Sequence, residues 1–197
     1  MNFLEAVKKR RSIYGLSNQV KISKDKIETL VIDAVKFTPT AFNSQSSRAV
    51  VLFGGQHSKL WQIVKATLKE IVPSESFADT ETKIDSFAAG YGTVLFFEDQ
   101  AIIKGLQEQF ALYKDNFPIW AQQSNGMLQF VTWTAMEEEG LGASLQHYNP
   151  LINKEVKKTW NIPDSWDLIA QMPFGSIATQ PGEKQFAPLE ERVKFFG

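Results

Sequence analysis

The chain contains no cysteine and only two histidines, His57 and His147. The first absence removes disulfides, thiol nucleophiles and thiolate metal ligands together. The second leaves no His-Glu-x-x-His helix, so no metal site is expected. His57 stands at the start of an apolar-periodic stretch and reads as structural. Also missing are the Gly-x-Ser-x-Gly elbow and the P-loop, which excludes the common serine hydrolases and P-loop nucleotide hydrolases. Neither sign of charge predominates: 21 Lys and Arg face 22 Asp and Glu, for a net charge of -1. Neither nucleic acid nor an anionic membrane is therefore expected as a partner, and any anion site must be local. Apolar runs such as Thr93-Val94-Leu95-Phe96-Phe97 fall far short of the roughly 20 residues that span a bilayer as a helix. In Met1 to Arg11 the charges follow the few apolar residues, the reverse of a secretory signal, so a cytoplasmic location is expected.

What is present suits one α+β domain over residues 1–197, with no repeat, low-complexity tract or linker. Phe3, Leu4 and Val7 at helical spacing predict a short helix over residues 2–10. Ser23 reads as the N-cap of a helix whose apolar face is Ile27, Leu30, Val31, Ala34 and Val35, ended by Pro39. A strand over 49–53 precedes a helix carrying Leu60, Trp61, Val64, Leu68 and Ile71, and a further helix is expected over 75–89. Thr93 to Phe97, consecutive β-branched and aromatic residues, predicts a strand buried on both faces. Asp99 caps a helix running through Ile102 and Phe110 to Tyr113. A longer helix from Pro118 to Glu139 is closed by Gly140. A short strand leads to Pro150, then come a helix through Ile152, Val156 and Trp160 and a strand over 168–175. The tail, residues 176–197, has little regular pattern but holds Phe186, Leu189, Phe195 and Phe196, so it is expected to dock on another surface, a second subunit being one candidate.

Two stretches carry candidate chemistry. Arg10-Arg11-Ser12 reads equally as a solvated basic helix end and as a phosphate grip of two guanidinium forks and a hydroxyl. Thr38 to Arg48 is a polar hinge between a helix and a strand. It is either an ordinary loop or a wall for a flat, heteroatom-rich ligand. Gly140-Leu141-Gly142-Ala143 ends a helix and lacks a third glycine, so it is not a dinucleotide fingerprint. Glu98-Asp99 and Glu137-Glu138-Glu139 read as caps and solvated faces.

Taken in order, these stretches resemble the FMN-dependent nitroreductase superfamily. Arg10-Arg11-Ser12 matches its Arg-x-Ser phosphate motif, and Pro39-Thr40-Ala41-Phe42-Asn43-Ser44-Gln45 matches its Pro-small-small-x-Asn-x-Gln motif. Gly142 to Tyr148 matches its glycine turn into a strand, and Lys184 its basic residue near the C-terminus. The likeness is closest to the compact subgroup typified by the fatty-acid-repression nitroreductase-like proteins, through Gly92 to Asp99 and Gly142 to Pro150. It departs at Tyr14, where many relatives have Arg or Lys, and at Ser46-Ser47, where many have Pro-Trp. The first departure leaves Arg48 or a backbone donor as the group facing the flavin N1 and C2 carbonyl.

The resemblance implies a nitroreductase-like fold, a central and mostly antiparallel sheet flanked by helices, with the C-terminal tail extending to the partner of a homodimer. It implies bound FMN, reduced by NADH or NADPH in a ping-pong cycle and reoxidised by a nitroaromatic compound or a quinone, with the chemistry on the flavin and no catalytic side chain. Arg10, Arg11 and Lys184 would hold the phosphate. Ser12 and Asn43 would contact phosphate, ribityl or ring, with Pro39, Thr40, Ala41, Gln45, Gln146, His147 and Tyr148 completing the cofactor site. Trp120 and Phe130 would shape the substrate mouth or pack in the core. Two other readings stand beside this one: a flavin-binding regulatory or stress-response protein, and an interaction module without cofactor.

Overall fold

The computed structural model describes residues 2–197. Helix α1 (Phe3–Lys9) starts in a capping box: Asn2 Oδ1 accepts from the Glu5 N–H at 3.0 Å and Glu5 accepts from the Asn2 N–H at 3.1 Å. A two-residue strand, β1 (Leu16–Ser17), precedes α2 (Lys24–Phe37), capped by Ser23 as its sequence predicts. After a 3-10 turn over Ala41–Asn43 come β2 (Ser47–Phe53), α3 (Gly54–Lys69), α4 (Phe77–Ala88) and β3 (Gly92–Asp99). Then follow α5 (Gln100–Gln109), α6 (Phe117–Glu138), β4 (Gly142–Ala143), α7 (Asn153–Trp160) and β5 (Trp166–Ile177).

The expected elements are present, with adjustments: β2 starts at Ser47 and not at residue 49, so Ser47 and Arg48 of the expected hinge are strand residues, and α4 starts at Phe77 after a 3-10 turn over Ser74–Ser76. β1 was too short to leave a pattern, and it exists by pairing antiparallel with the end of β5. β5 runs past the expected 168–175 because β3 and β1 pair with its two ends. The helix expected to reach Tyr113 stops at Gln109, and Tyr113 lies in a separate 3-10 turn over Ala111–Tyr113. Ile71 falls beyond α3 and is exposed.

The sheet order is β1-β5-β3-β2, antiparallel throughout, with β4 added on β5. β3 is central, and its side chains alternate between two cores. Val94 and Phe96 join Ile27, Val31, Ala34, Leu128, Met136 and Phe174 under α2 and α6. Leu95 and Phe97 join Leu60, Trp61, Val64, Ile84, Phe87 and Val156 under α3, α4 and α7. The strand predicted to be buried on both faces is so: Thr93 to Phe97 are all 0% exposed. The result is an α+β fold of helices on both faces of an antiparallel sheet. Residues 178–197 follow β5 without helix or strand, and Phe186, Leu189, Phe195 and Phe196 are exposed. No helix among the described residues is long and apolar enough to cross a membrane.

His57 is structural, as its position suggests. It is buried in α3 with Nε2 3.1 Å from the Ala88 carbonyl and Nδ1 2.8 Å from Thr93 Oγ1. A carbonyl only accepts, so Nε2 carries the proton, Nδ1 accepts from the Thr93 hydroxyl, and Thr93 Oγ1 accepts from Trp61 Nε1 at 3.1 Å. Every polar atom of this trio is used only while the imidazole is neutral. Burial holds its pKa below the ordinary value of about 6.5, partly opposed by the Ala88 and Phe87 carbonyls. Between those two values the unfolded chain binds the extra proton, so stability falls as pH drops through about 6.5. The urea midpoint should fall between pH 7 and pH 5, and the difference should shrink in His57→Gln. An undiminished difference in that variant assigns the effect to other groups.

Candidate functional site

Helix α1 ends by delivering Arg10-Arg11-Ser12 to the edge of the sheet. Ser12 bridges Ala143 of β4, and the Ile13 N–H donates to the Ala143 carbonyl at 2.9 Å, so the basic stretch and the glycine turn lie side by side. The approach is close because position 142 has no side chain. A Cβ there would meet Ile177 Cγ1 at 2.8 Å and Ile13 Cγ2 at 2.9 Å. Beside this junction is a cleft of about 480 Å³ lined by Arg10, Arg11, Ser12, Tyr14 and Gly15 and, from the start of the tail, by residues 179–182 and Lys184. The tail is fastened there by Arg11, which donates to the Gly182 carbonyl at 2.9 Å.

Arg10 is held differently from Arg11. Its guanidinium lies over the Trp133 ring at 4.3 Å from the centroid, and its Nε is buried without a partner. Burial lowers its pKa, Glu137 raises it and Arg11 lowers it. Glu137 in turn is raised by burial against the pull of Lys9 and Arg10. Three cations, a hydroxyl and an unsatisfied buried donor suit an anion with several oxygens, such as a phosphate. The sequence does not reveal Trp133, because a helical aromatic reads as core and nothing local marks it as the platform for a cation.

The hinge lines a second, larger cavity. α2 ends where the Thr38 N–H reaches the Ala34 carbonyl at 3.1 Å, and Pro39 prevents continuation. Between α2 and β2 lies a groove of about 740 Å³ lined by the apolar Val31, Val35, Ala49, Val51 and Phe53, by Thr38, Thr40, Gln45, Ser47 and Arg48 at the hinge, and by the charged Lys24, Glu28 and Lys36 of α2. Thr38 Oγ1 is buried there without a partner. The apolar stretch beside the polar groups of the hinge suits a flat ring system with heteroatoms on one edge.

The remaining predicted residues are distributed as follows. Pro39 and Asn43 are exposed on the hinge, and Ala41 faces inward with Ser44 and Ser46 against Ile103, Leu106 and Trp120. Gln146 is buried, its amide donating to Ser144 Oγ at 3.1 Å, and lines neither cavity. His147 is exposed. The Tyr148 N–H donates to Gln171 Oε1 at 2.8 Å, and its phenol is pushed up to about 12 by burial, with Tyr14 adding to the shift. Trp120 stacks on Phe42 at 5.8 Å and 17°, within a cluster that includes Phe110, Tyr113 and Phe117. Phe130 packs edge-on against Phe3 at 6.5 Å and touches neither cavity. The single aromatic of the hinge, Phe42, thus anchors it to α6 and to the segment between α5 and α6. Arg48 lines the groove, but its guanidinium is engaged: it donates to the Gln45 carbonyl at 2.6 Å and pairs with Asp99 at 3.2 Å. Asp99 caps α5 as expected, whereas Glu98, read as a solvated face, is 0% exposed. No cluster of three or more metal-ligating side chains occurs among the described residues.

Comparison with known proteins places the chain beside one group. Residues 7–176 match the Nitroreductase family. HBN1 of Saccharomyces cerevisiae, a putative nitroreductase by name, is 37% identical over 98% of this chain and 96% of its own length. The nitroreductase FRM2 of the same yeast is 35% identical over 94% and 93%. Among solved structures, nitroreductase CinD from Lactococcus lactis in complex with chloramphenicol superposes with a TM-score of 0.92 at 47% identity, over all of both chains. The same protein has also been solved with 4-nitrophenol.

Gly142→Ala should lower stability by about 1–3 kcal/mol, because the added methyl must displace Ile13 and Ile177 from a packed junction. The urea midpoint measures it, and an unchanged midpoint would show that the junction between the basic stretch and the glycine turn is loose.

Proposed function

Because the chain belongs to the nitroreductase family of oxidoreductases, we propose that it is an FMN-dependent enzyme, taking electrons from NADH or NADPH and passing them alternately to a nitroaromatic compound or a quinone. The observation that carries this reading is the cleft in which Arg10, Arg11, Ser12 and Lys184 converge. Four residues from the two ends of a 197-residue chain meet at one cationic cavity in a protein of net charge -1. The CinD complex with 4-nitrophenol favours a nitroaromatic acceptor here.

When bound, FMN supplies the electron-transfer chemistry, so the protein has to hold it, tune it and leave a face open. Arg11, Lys184 and Ser12 hold the phosphate with charge-assisted hydrogen bonds, and Arg10 contributes its orphaned Nε and its charge. Thr40, Gln45 and the unpartnered Thr38 hydroxyl present hydrogen-bonding groups to the ring edge, and Val31, Val35 and Val51 exclude water from its face. The engaged fork of Arg48 favours a backbone donor over Arg48 at the flavin N1 and C2 carbonyl.

The cleft and the groove have no residue in common, and one ligand has to be served by both. A homodimer with flavin at its interface meets that need. The exposed Phe3, Leu4, Ile32, Val35 and Phe37 and the apolar tail supply the surface that such a dimer would cover. A cysteine-free chain suits the reducing cytoplasm, where both nicotinamide donors are found.

The purified protein should carry or take up FMN with visible flavin absorbance, NADH or NADPH should bleach it, and a nitroaromatic or quinone should restore it. A chain that stays colourless with FMN added refutes the reading. Arg11→Ala and Lys184→Ala should each weaken FMN binding by about 1.5–3 kcal/mol. Titration of flavin fluorescence measures this, and unchanged affinity in both places the phosphate elsewhere.

A further inference from the structure

The hinge holds an improbable backbone. Among the described residues four non-glycine positions have positive φ, and three of them, Phe42 (56°), Asn43 (49°) and Gln45 (48°), stand within four positions of one another. The left-handed region disfavours Phe42 and Gln45 more than Asn43, and such backbone persists only where its surroundings over-determine it. The hinge's own bonds are short-range: the Gln45 N–H donates to Thr40 Oγ1 at 3.0 Å, the Asn43 N–H to the Thr40 carbonyl at 3.0 Å and the Ser44 N–H to the Ala41 carbonyl at 3.1 Å, with longer contacts between the Ser44 and Ser46 hydroxyls at 3.4 Å and from Gln45 Nε2 to the Asn43 carbonyl at 3.5 Å.

Phe42 is held by its aromatic neighbours Phe110, Tyr113, Phe117 and Trp120, and the C-terminal half of the hinge is restrained by the last two residues of β3. β2 pairs with β3 so that Ser47 lies opposite Glu98, and the Ser47 hydroxyl donates to Glu98 Oε1. The Asp99 N–H donates to the Ser46 carbonyl at 3.0 Å. The Asp99 carboxylate holds Arg48, and Arg48 Nη1 reaches back to the Gln45 carbonyl at 2.6 Å and the Ser47 carbonyl at 3.1 Å. Both acids are themselves fixed. Asp99 Oδ1 accepts from the Ala101 N–H at 3.2 Å at the start of α5. Glu98 Oε1 accepts from Asn125 Nδ2 at 2.9 Å, and Asn125 Oδ1 accepts from Gln129 Nε2 at 2.6 Å, both from α6. Glu98 and Asn125 are wholly buried, and Glu98 Oε2 has no partner. For the core alone such a network is a poor choice, since an apolar residue of similar size would cost less at position 98. What the network does is fix one conformation of the chain above it.

We propose that Glu98 and Asp99 are positioning residues for the cofactor site. Through Ser47 and Arg48 they hold the hinge in its left-handed shape, so that Thr40 and Gln45 face the groove. The consequence for binding rests on the flavin reading above, whereas the clasp is a property of the chain itself. A hinge populating its competent shape one-tenth of the time binds about tenfold more weakly.

The test is hydrogen exchange on the full-length chain, without and with FMN, for Ser47→Ala, Arg48→Met and Asp99→Asn, alongside FMN titration. The expected result is exchange at residues 41–46 faster by about tenfold in Arg48→Met and Asp99→Asn, with β3 and β5 still protected and FMN affinity down by the same factor. Ser47→Ala should give a smaller change of the same kind. The double variant of Arg48→Met and Asp99→Asn should be no looser than Arg48→Met, because both remove one link. Unchanged exchange at 41–46, or protection lost equally across the sheet, overturns the clasp. A looser hinge with unchanged FMN affinity overturns the positioning role. Failure of the unaltered chain to bind FMN refutes the flavin reading, and the exchange result still decides the clasp.

Discussion

The structure depends on the burial of β3 on both faces. Val94, Leu95, Phe96 and Phe97 are all 0% exposed and alternate between two cores, so this one strand packs into both helical layers. Burying such side chains contributes about 1.5–3 kcal/mol each, and in β3 all four are fully buried. The neighbours of β3 follow from it. β2 and β5 satisfy its two hydrogen-bonding edges, and the chain segments entering and leaving those strands become the two cavities. The hinge is the lead-in to β2, and the cation cleft is built where the continuation of β5 meets the end of α1. The positions of both candidate binding surfaces are thus consequences of one apolar strand.

Electrostatics then distinguish the two surfaces. In a chain with nearly balanced charge, Arg10, Arg11 and Lys184 form a local concentration of positive charge, and the partial burial of Arg10 over Trp133 makes that charge less screened. The groove has an apolar stretch beside the polar groups of the hinge. One surface suits a phosphate and the other a flat ring, a division that accords with a phosphate-bearing flavin as the ligand of both.

Much of this was legible in the sequence because it depends on short-range signals. Ser23, Asp99, Pro39 and Gly140 mark helix ends by chemistry that acts within one turn, and the β-branched and aromatic run at 93–97 has no good alternative to a buried strand. The motifs at 10–12, 39–45, 142–148 and 184 stand out by their order, not by their individual strength. What escaped was decided by neighbours distant in sequence. Glu98 looked like a surface acid because nothing nearby shows that Ser47 and Asn125 meet it in the core. Arg48 looked available because its partner Asp99 lies 51 residues away. β1 exists only by pairing with β5, and Gln146 turns inward toward Ser144.

The central claim is that the cleft of Arg10, Arg11, Ser12 and Lys184 recognises a phosphate and the groove a flavin ring. Calorimetric titration of the protein with FMN and with riboflavin, which differ only in that phosphate, tests it most directly. Riboflavin forgoes at least two charge-assisted hydrogen bonds at once, so FMN should bind roughly a hundredfold or more tightly. Equal affinity for the two would contradict the account.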